Sequence, residues 1–145
     1  MKTVLSYVIL LVALLALDFV WLSFTGETLY RPAMGELERL HPNLLAAAGF
    51  YLIYALGLSV LVLHPAIDQG GPVNFREMTW KAGVFGLAAF ATYDLTGLAV
   101  IRDWPVALSA IDMAWGAFAA MVSVNLTVLV LRLLGQVTGA SPPQA

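Results

Sequence analysis

VLSYVILLVALLALDFVWLSF, residues 4 to 24, is an unbroken apolar run interrupted by a single carboxylate, Asp18. At ~1.5 Å of rise per helical residue, about 21 residues cross a ~30 Å hydrocarbon core. Lys2 ahead of it imitates the start of a secretory leader. No small-x-small cleavage site follows Ser23, however, and the run continues through Trp21 to Phe24, so it is expected to stay in the protein as a span.

Working outward, three further runs have comparable length: residues 44–63, 79–101 and 106–134. The whole chain agrees with this reading. Its 145 residues are 61% hydrophobic and 11% charged, and the mean hydropathy is +0.87, far from the balance of a soluble domain. The expected fold is all-α, a polytopic four-helix transmembrane bundle with short loops. Residues 1–134 form one four-span domain and 135–145, GQVTGASPPQA, a disordered tail. The last run exceeds what a bilayer needs, so it tilts or begins in the interface.

The connections carry the breakers. Residues 25–43, TGETLYRPAMGELERLHPN, hold most of the charge and read as an interfacial loop with room for a short amphipathic helix. The second loop has Gly70, Gly71 and Pro72, and RDWP at 102–105 is tight enough to make the third and fourth helices antiparallel neighbours. Four spans put both ends on one side. Lys2, Arg76, Lys81 and Arg132 lie there, against Arg31, Arg39 and Arg102 opposite, which by the positive-inside rule places the termini in the cytoplasm.

Composition excludes several classes. There is no cysteine, hence no disulfide scaffold and no thiolate chemistry. A net charge of −2 offers no basic patch for nucleic acid. No phosphate-cradling glycine loop, zinc-protease helix or serine elbow is present, and no cofactor is indicated. No metal site is expected either, because hard-oxygen sites need more ligands than the acids supply. His41 and His64 each precede a proline at the ends of the second span, where they read as boundary residues.

Three acids are enclosed by apolar sequence: Asp18, Asp94 and Asp112. From the helical rise, Asp18 lies roughly 6 Å and Asp94 roughly 4 Å from the midplane, both toward the 25–43 loop. The fourth helix descends from that side, so Asp112 falls in the same leaflet. A charged Asp at the centre of a span costs on the order of 2.5 to 3.5 kcal/mol, so such residues face the bundle interior. Trp21 and Trp115 stand three residues beyond Asp18 and Asp112 with indole N–H groups to donate. Tyr93, Thr96, Tyr30, Asn43, Arg102 and Trp104 reach the same end of the bundle. ALDFVWLSF (16–24) and AIDMAWGAF (110–118) share one spacing in helices of opposite direction, an echo nine residues long that chance also explains. Gly116 and Ala120 give the last helix a small-residue face for helix packing or for a contact between protomers.

ALDFVWLSF, YDLTGLA at 93–99, the WP pair at 104 and 105 and IDMAWGA at 111–117 together resemble a family of small bacterial membrane proteins, catalogued as domain of unknown function two-one-seven-seven. The resemblance implies a four-span, multi-pass protein of the bacterial inner membrane and assigns no activity, ligand or catalytic residue.

Three functions suit an acidic, Trp-lined pocket in one leaflet. The first is an accessory protein binding a lipid-like or amphipathic small molecule, with Asp18, Asp94 and Asp112 at its polar end and Trp21, Trp104 and Trp115 as walls. The second is a proton-coupled small transporter or channel acting as an oligomer. The third is an acid/base enzyme on a lipid or isoprenoid, with Asp94 or Asp18 moving the proton. The balance favours a protein that is not an enzyme. A purely structural role, with the acids satisfied by their neighbours and fixing helix register, is the plainest alternative.

Overall fold

The structure, a computed structural model, describes residues 2–37, 39 and 41–137. Four helices are long and apolar enough to cross a membrane: α1 (Lys2–Leu37), α2 (Leu44–Ile67), α3 (Phe75–Val100) and α4 (Val106–Leu133). Each packs on its two sequence neighbours and α4 returns to α1, which closes an up-down-up-down bundle; α3 and α4 share the largest interface. No strand occurs among the described residues.

Large apolar side chains cover the outside, Phe19 and Phe24 each at 75% exposure and Leu45 at 85%. In water this surface would be an aggregation liability; against lipid tails it is the expected exterior.

Local chemistry sets the ends of the helices. Asn43 and Asn74 cap α2 and α3, their side chains accepting from the N–H groups of Ala46 (3.1 Å) and Glu77 (3.2 Å). At the end of α4, Gly135 adopts φ +68°. Its N–H donates to the Arg132 carbonyl (3.0 Å) while Gln136 N–H donates to that of Leu131 (2.8 Å), a Schellman closure. Val137 then tucks back into the core. Residues 135–137 of the expected tail are thus part of the helix closure and core, and residues 138–145 lie outside the described residues.

The main departure from the sequence reading is that α1 and α2 run through their prolines. Residues 25–43 read as an interfacial loop with room for a short amphipathic helix, yet the helix runs on to Met34, where Gly35 (φ +52°) turns it into a short 3₁₀ segment ending at Leu37, and α2 extends past Leu63 to Ile67. Both do so by widening for one turn. Gly26–Tyr30 and Ser59–Leu63 are π-helical, and each widened turn ends two residues before a proline, Pro32 or Pro65. Proline has no N–H to offer the carbonyl four residues back, and its ring crowds that carbonyl; a wider turn relieves both. In α1, Thr25 and Thr28 add to the effect by donating to the carbonyls of Trp21 (2.7 Å) and Phe24 (2.8 Å). Thr25, at φ −107° and ψ −22°, is where the helix bends.

The interior divides along its length. Toward the 68–74 loop it is a dry core of Leu10, Leu58, Leu63, Met78, Val124 and Leu131 with their neighbours. There Ser6 Oγ and Ser59 Oγ both meet His64 Nε2, at 3.1 and 3.4 Å. Ser6 donates its own proton to the Thr3 carbonyl, so His64 Nε2 is the donor to it. Toward the 25–43 segment the interior becomes polar.

α3 and α4 approach closely because glycine leaves room. A Cβ on Gly86 would meet the Gly116 carbonyl and, at 2.8 Å, the Ala120 Cβ, while Phe90 covers Gly116. The Gly116/Ala120 face is therefore packed by α3 of the same chain.

Candidate functional site

All four helices contribute to a recess of about 330 Å³ at the polar end. Its lining contains Asp18, Trp21 and Tyr30 from α1, Phe50 and Tyr51 from α2, Phe90 and Tyr93 from α3, and Asp112 and Trp115 from α4. Leu22, Phe50 and Tyr93 are exposed and form its rim.

The two Asp-x-x-Trp segments meet face to face. Trp21 and Trp115 stack with ring centroids 4.4 Å apart and planes 7° from parallel. Neither indole bonds the acid of its own segment. Trp115 Nε1 donates to Asp18 Oδ1 (2.7 Å). Trp21 Nε1 donates to the Tyr30 hydroxyl (3.0 Å), which in turn donates to Asp112 Oδ1. The nine-residue echo is thus a pair of antiparallel helices exchanging donors across a stack.

Tyr30 is brought into this exchange by the widened turn. Residues nine apart on a regular α-helix are separated by two and a half turns and lie on opposite faces. The extra residue of the π turn, with the bend at Thr25, returns Tyr30 to the side of Trp21.

Asp94 is 2% exposed and stands behind this layer, facing Ser109 and Asp112. Its Oδ2 is buried with no hydrogen-bond partner. All three acids are expected at the pocket, but only Asp18 and Asp112 line the recess. The other expected members are distributed as follows. Trp104 packs edge-on to Tyr93 (5.2 Å between centroids) and donates to Ser109 Oγ (2.9 Å), so it backs the wall without forming it. Gly97 makes that possible, since a Cβ there would lie 2.6 Å from the indole. Thr96 is exposed and bonds back to the carbonyls of Thr92 and Tyr93. Asn43 is taken up as the cap of α2, and Arg102 is exposed to solvent or headgroups. Arg31 is held at 2.6 Å by Glu27.

Sequence reasoning missed Leu22, Phe50, Tyr51, Phe90 and Ser109. The FYLIY segment, residues 50–54, was the available signal: Phe50 and Tyr54 lie one helical turn apart, beside Tyr51, in an otherwise aliphatic span.

The lining contains two acids, two indole N–H groups already engaged and no Lys, Arg or His. Its charged groups are acceptors, accompanied by the hydroxyls of Tyr30, Tyr51 and Tyr93. Among the described residues no cluster of three or more His, Asp or Glu is grouped to hold a metal ion.

Four apolar helices around a buried acidic cluster define a polytopic, multi-pass membrane protein. Residues 3–129 match the family described as predicted membrane protein DUF2177, and the chain belongs to it. No curated protein and no solved structure matches.

Proposed function

We propose that the recess receives the polar end of an amphipathic molecule, and that this end donates hydrogen bonds or carries positive charge. The observation that carries the reading is the lining itself, in which Asp18 and Asp112 face an aromatic recess holding no basic side chain. About 330 Å³ corresponds to roughly eleven water volumes. That suits a head and the first few carbons, at the small end of ligand sites, with the tail leaving past Leu22 and Phe50 into lipid. Binding without turnover is the reading favoured over proton-coupled transport or acid/base chemistry, because Trp115 and Tyr30 fix one oxygen of each acid, Asp18 Oδ1 and Asp112 Oδ1, in place. The cell context that goes with it is the bacterial inner membrane with cytoplasmic termini, supported by Lys2, Arg76, Lys81 and Arg132 at one end of the bundle.

The test uses amphiphiles of one chain length and three head groups: dodecylamine, dodecanol and dodecanoate. Their effect on tryptophan emission is compared in lipid particles of the wild type and of Asp18→Asn and Asp112→Asn. The amine is expected to bind tightest and to lose its advantage in both variants. Equal binding of the carboxylate would refute an acceptor-lined site.

A further inference from the structure

A second recess lies on the opposite half of the bundle, on the outer face of α3 and α4. Two cavities of about 800 and 570 Å³ share Phe75, Thr79 and Met121 and so form one groove. On α4 it extends from Phe118 to Leu129. Those eleven steps span about 16 Å at the helical rise, close to the depth of one leaflet of a ~30 Å core. Its deep end is apolar, with Phe118, Val122 and Leu126. The polar groups collect at its mouth, where Asn74, Arg76 and the exposed Trp80 lie.

Charge at that mouth is unbalanced. Glu77, the acid of the rim, is engaged by Lys81 at 2.6 Å. Arg76 and Arg132 have no carboxylate partner among the described residues. Arg132 lies with its guanidinium 4.5 Å from the centroid of Phe75, which lines the groove, and its Nε is buried without an acceptor. An arginine in that state lacks an anion, and guanidinium groups match phosphate oxygens in geometry as well as charge. The groove is thus one leaflet long and apolar at depth, with Arg76 in its lining at the interface and Arg132 beside it, over the Phe75 ring.

We infer that this groove is a binding site for an anionic phospholipid, one acyl chain lying between α3 and α4 and the headgroup phosphate held by Arg76 and Arg132. The occupant is taken from the leaflet on the side of the 68–74 loop. The Thr79–Asn125 pair on the floor, with Asn125 Nδ2 donating to Thr79 Oγ1 at 2.8 Å and to the Met121 carbonyl at 2.7 Å, is satisfied within the protein and lets a chain pass over it.

The experiment is a titration of the full chain with phosphatidylglycerol and phosphatidylcholine of the same acyl chains, read by native mass spectrometry. The wild type is expected to retain one phosphatidylglycerol in preference to phosphatidylcholine. Replacing both arginines (Arg76→Gln with Arg132→Gln) should weaken phosphatidylglycerol binding by about five- to thirtyfold, about one basic-residue contribution for each site lost, and remove the preference. Arg76→Lys with Arg132→Lys should keep the preference, and serves if the neutral variant fails to fold. Val122→Trp, which fills the deep end, should lower retention of both lipids. Equal binding of the two lipids by the wild type, or an undiminished preference in the neutral double variant, would overturn the site. So would a dimer that Val122→Trp abolishes without changing lipid retention, because the groove would then be a contact between protomers.

Discussion

Replacing Tyr30 by Phe removes one oxygen that accepts from Trp21 and donates to Asp112. Two hydrogen bonds disappear and little volume changes, so the loss reads out the network. In a water-soluble interior, a buried carboxyl stripped of its donor costs about 1–3 kcal/mol, and a half-exposed indole N–H less. In a membrane the unfolded reference state also finds partners, and measured bonds between helices average ~0.6 kcal/mol with a maximum near 1.7. Two bonds then give about 1.2 kcal/mol at the mean and about 3.4 at the upper limit. Asp112 is 9% exposed, so the value should fall in the upper half of that interval, about 2–3 kcal/mol. The assay is reversible unfolding in mixed detergent micelles, with near-ultraviolet circular dichroism of the stacked Trp21 and Trp115 as a second observable. Tyr93→Phe, at an exposed rim tyrosine, is the control and should change stability by less than about 0.5 kcal/mol. A Tyr30→Phe protein as stable as the control, with an unchanged tryptophan signal, would show that the widened turn does not deliver Tyr30 to Asp112.

Gly86→Ala should destabilise by about 1–3 kcal/mol through overpacking, because the new methyl collides with the backbone of Gly116 and with Ala120. Gly49→Ala on α2, where nothing lies within 4 Å, should be neutral or gain up to about 1 kcal/mol of helix propensity. Thermal inactivation of the two in the same lipid compares them directly, and similar melting would refute the close α3–α4 approach. Gly135→Ala forces a side chain into φ +68° and should cost about 1 kcal/mol, visible as faster hydrogen exchange at Gln136 and Val137.

The four spans were legible because length and apolarity alone decide what crosses a bilayer, and those properties are local. The convergence of Asp18, Asp94 and Asp112 on one end followed from counting rise along helices of alternating direction. What counting could not supply was azimuth. Both Asp-x-x-Trp segments suggested indoles serving their own acids, whereas antiparallel packing hands Trp115 to Asp18 on the opposite helix and leaves Trp21 to Tyr30, whose hydroxyl makes the return bond to Asp112. Asn43 and Thr96 were plausible pocket members by height, yet cheaper local partners, an N-terminal amide and preceding carbonyls, claim them. Pro32 and Pro65 read as punctuation because proline ordinarily stops a helix; a widened turn upstream absorbs it instead.

The widened turn in α1 makes the site sensitive to residue count and blind to hydropathy. Inserting one further residue between Trp21 and Tyr30 would swing the following segment by roughly 100° about the axis, whereas deleting one would only absorb the widened turn and leave the segment's direction unchanged. After the insertion Tyr30 would point away from Asp112, while all four spans kept their length and apolarity. A hydropathy profile would record no change. For related chains, the number of residues separating this tryptophan from this tyrosine is therefore a better marker of the recess than the apolar pattern that announces the spans, and an insertion there would dismantle the site without disturbing the way the chain enters the membrane.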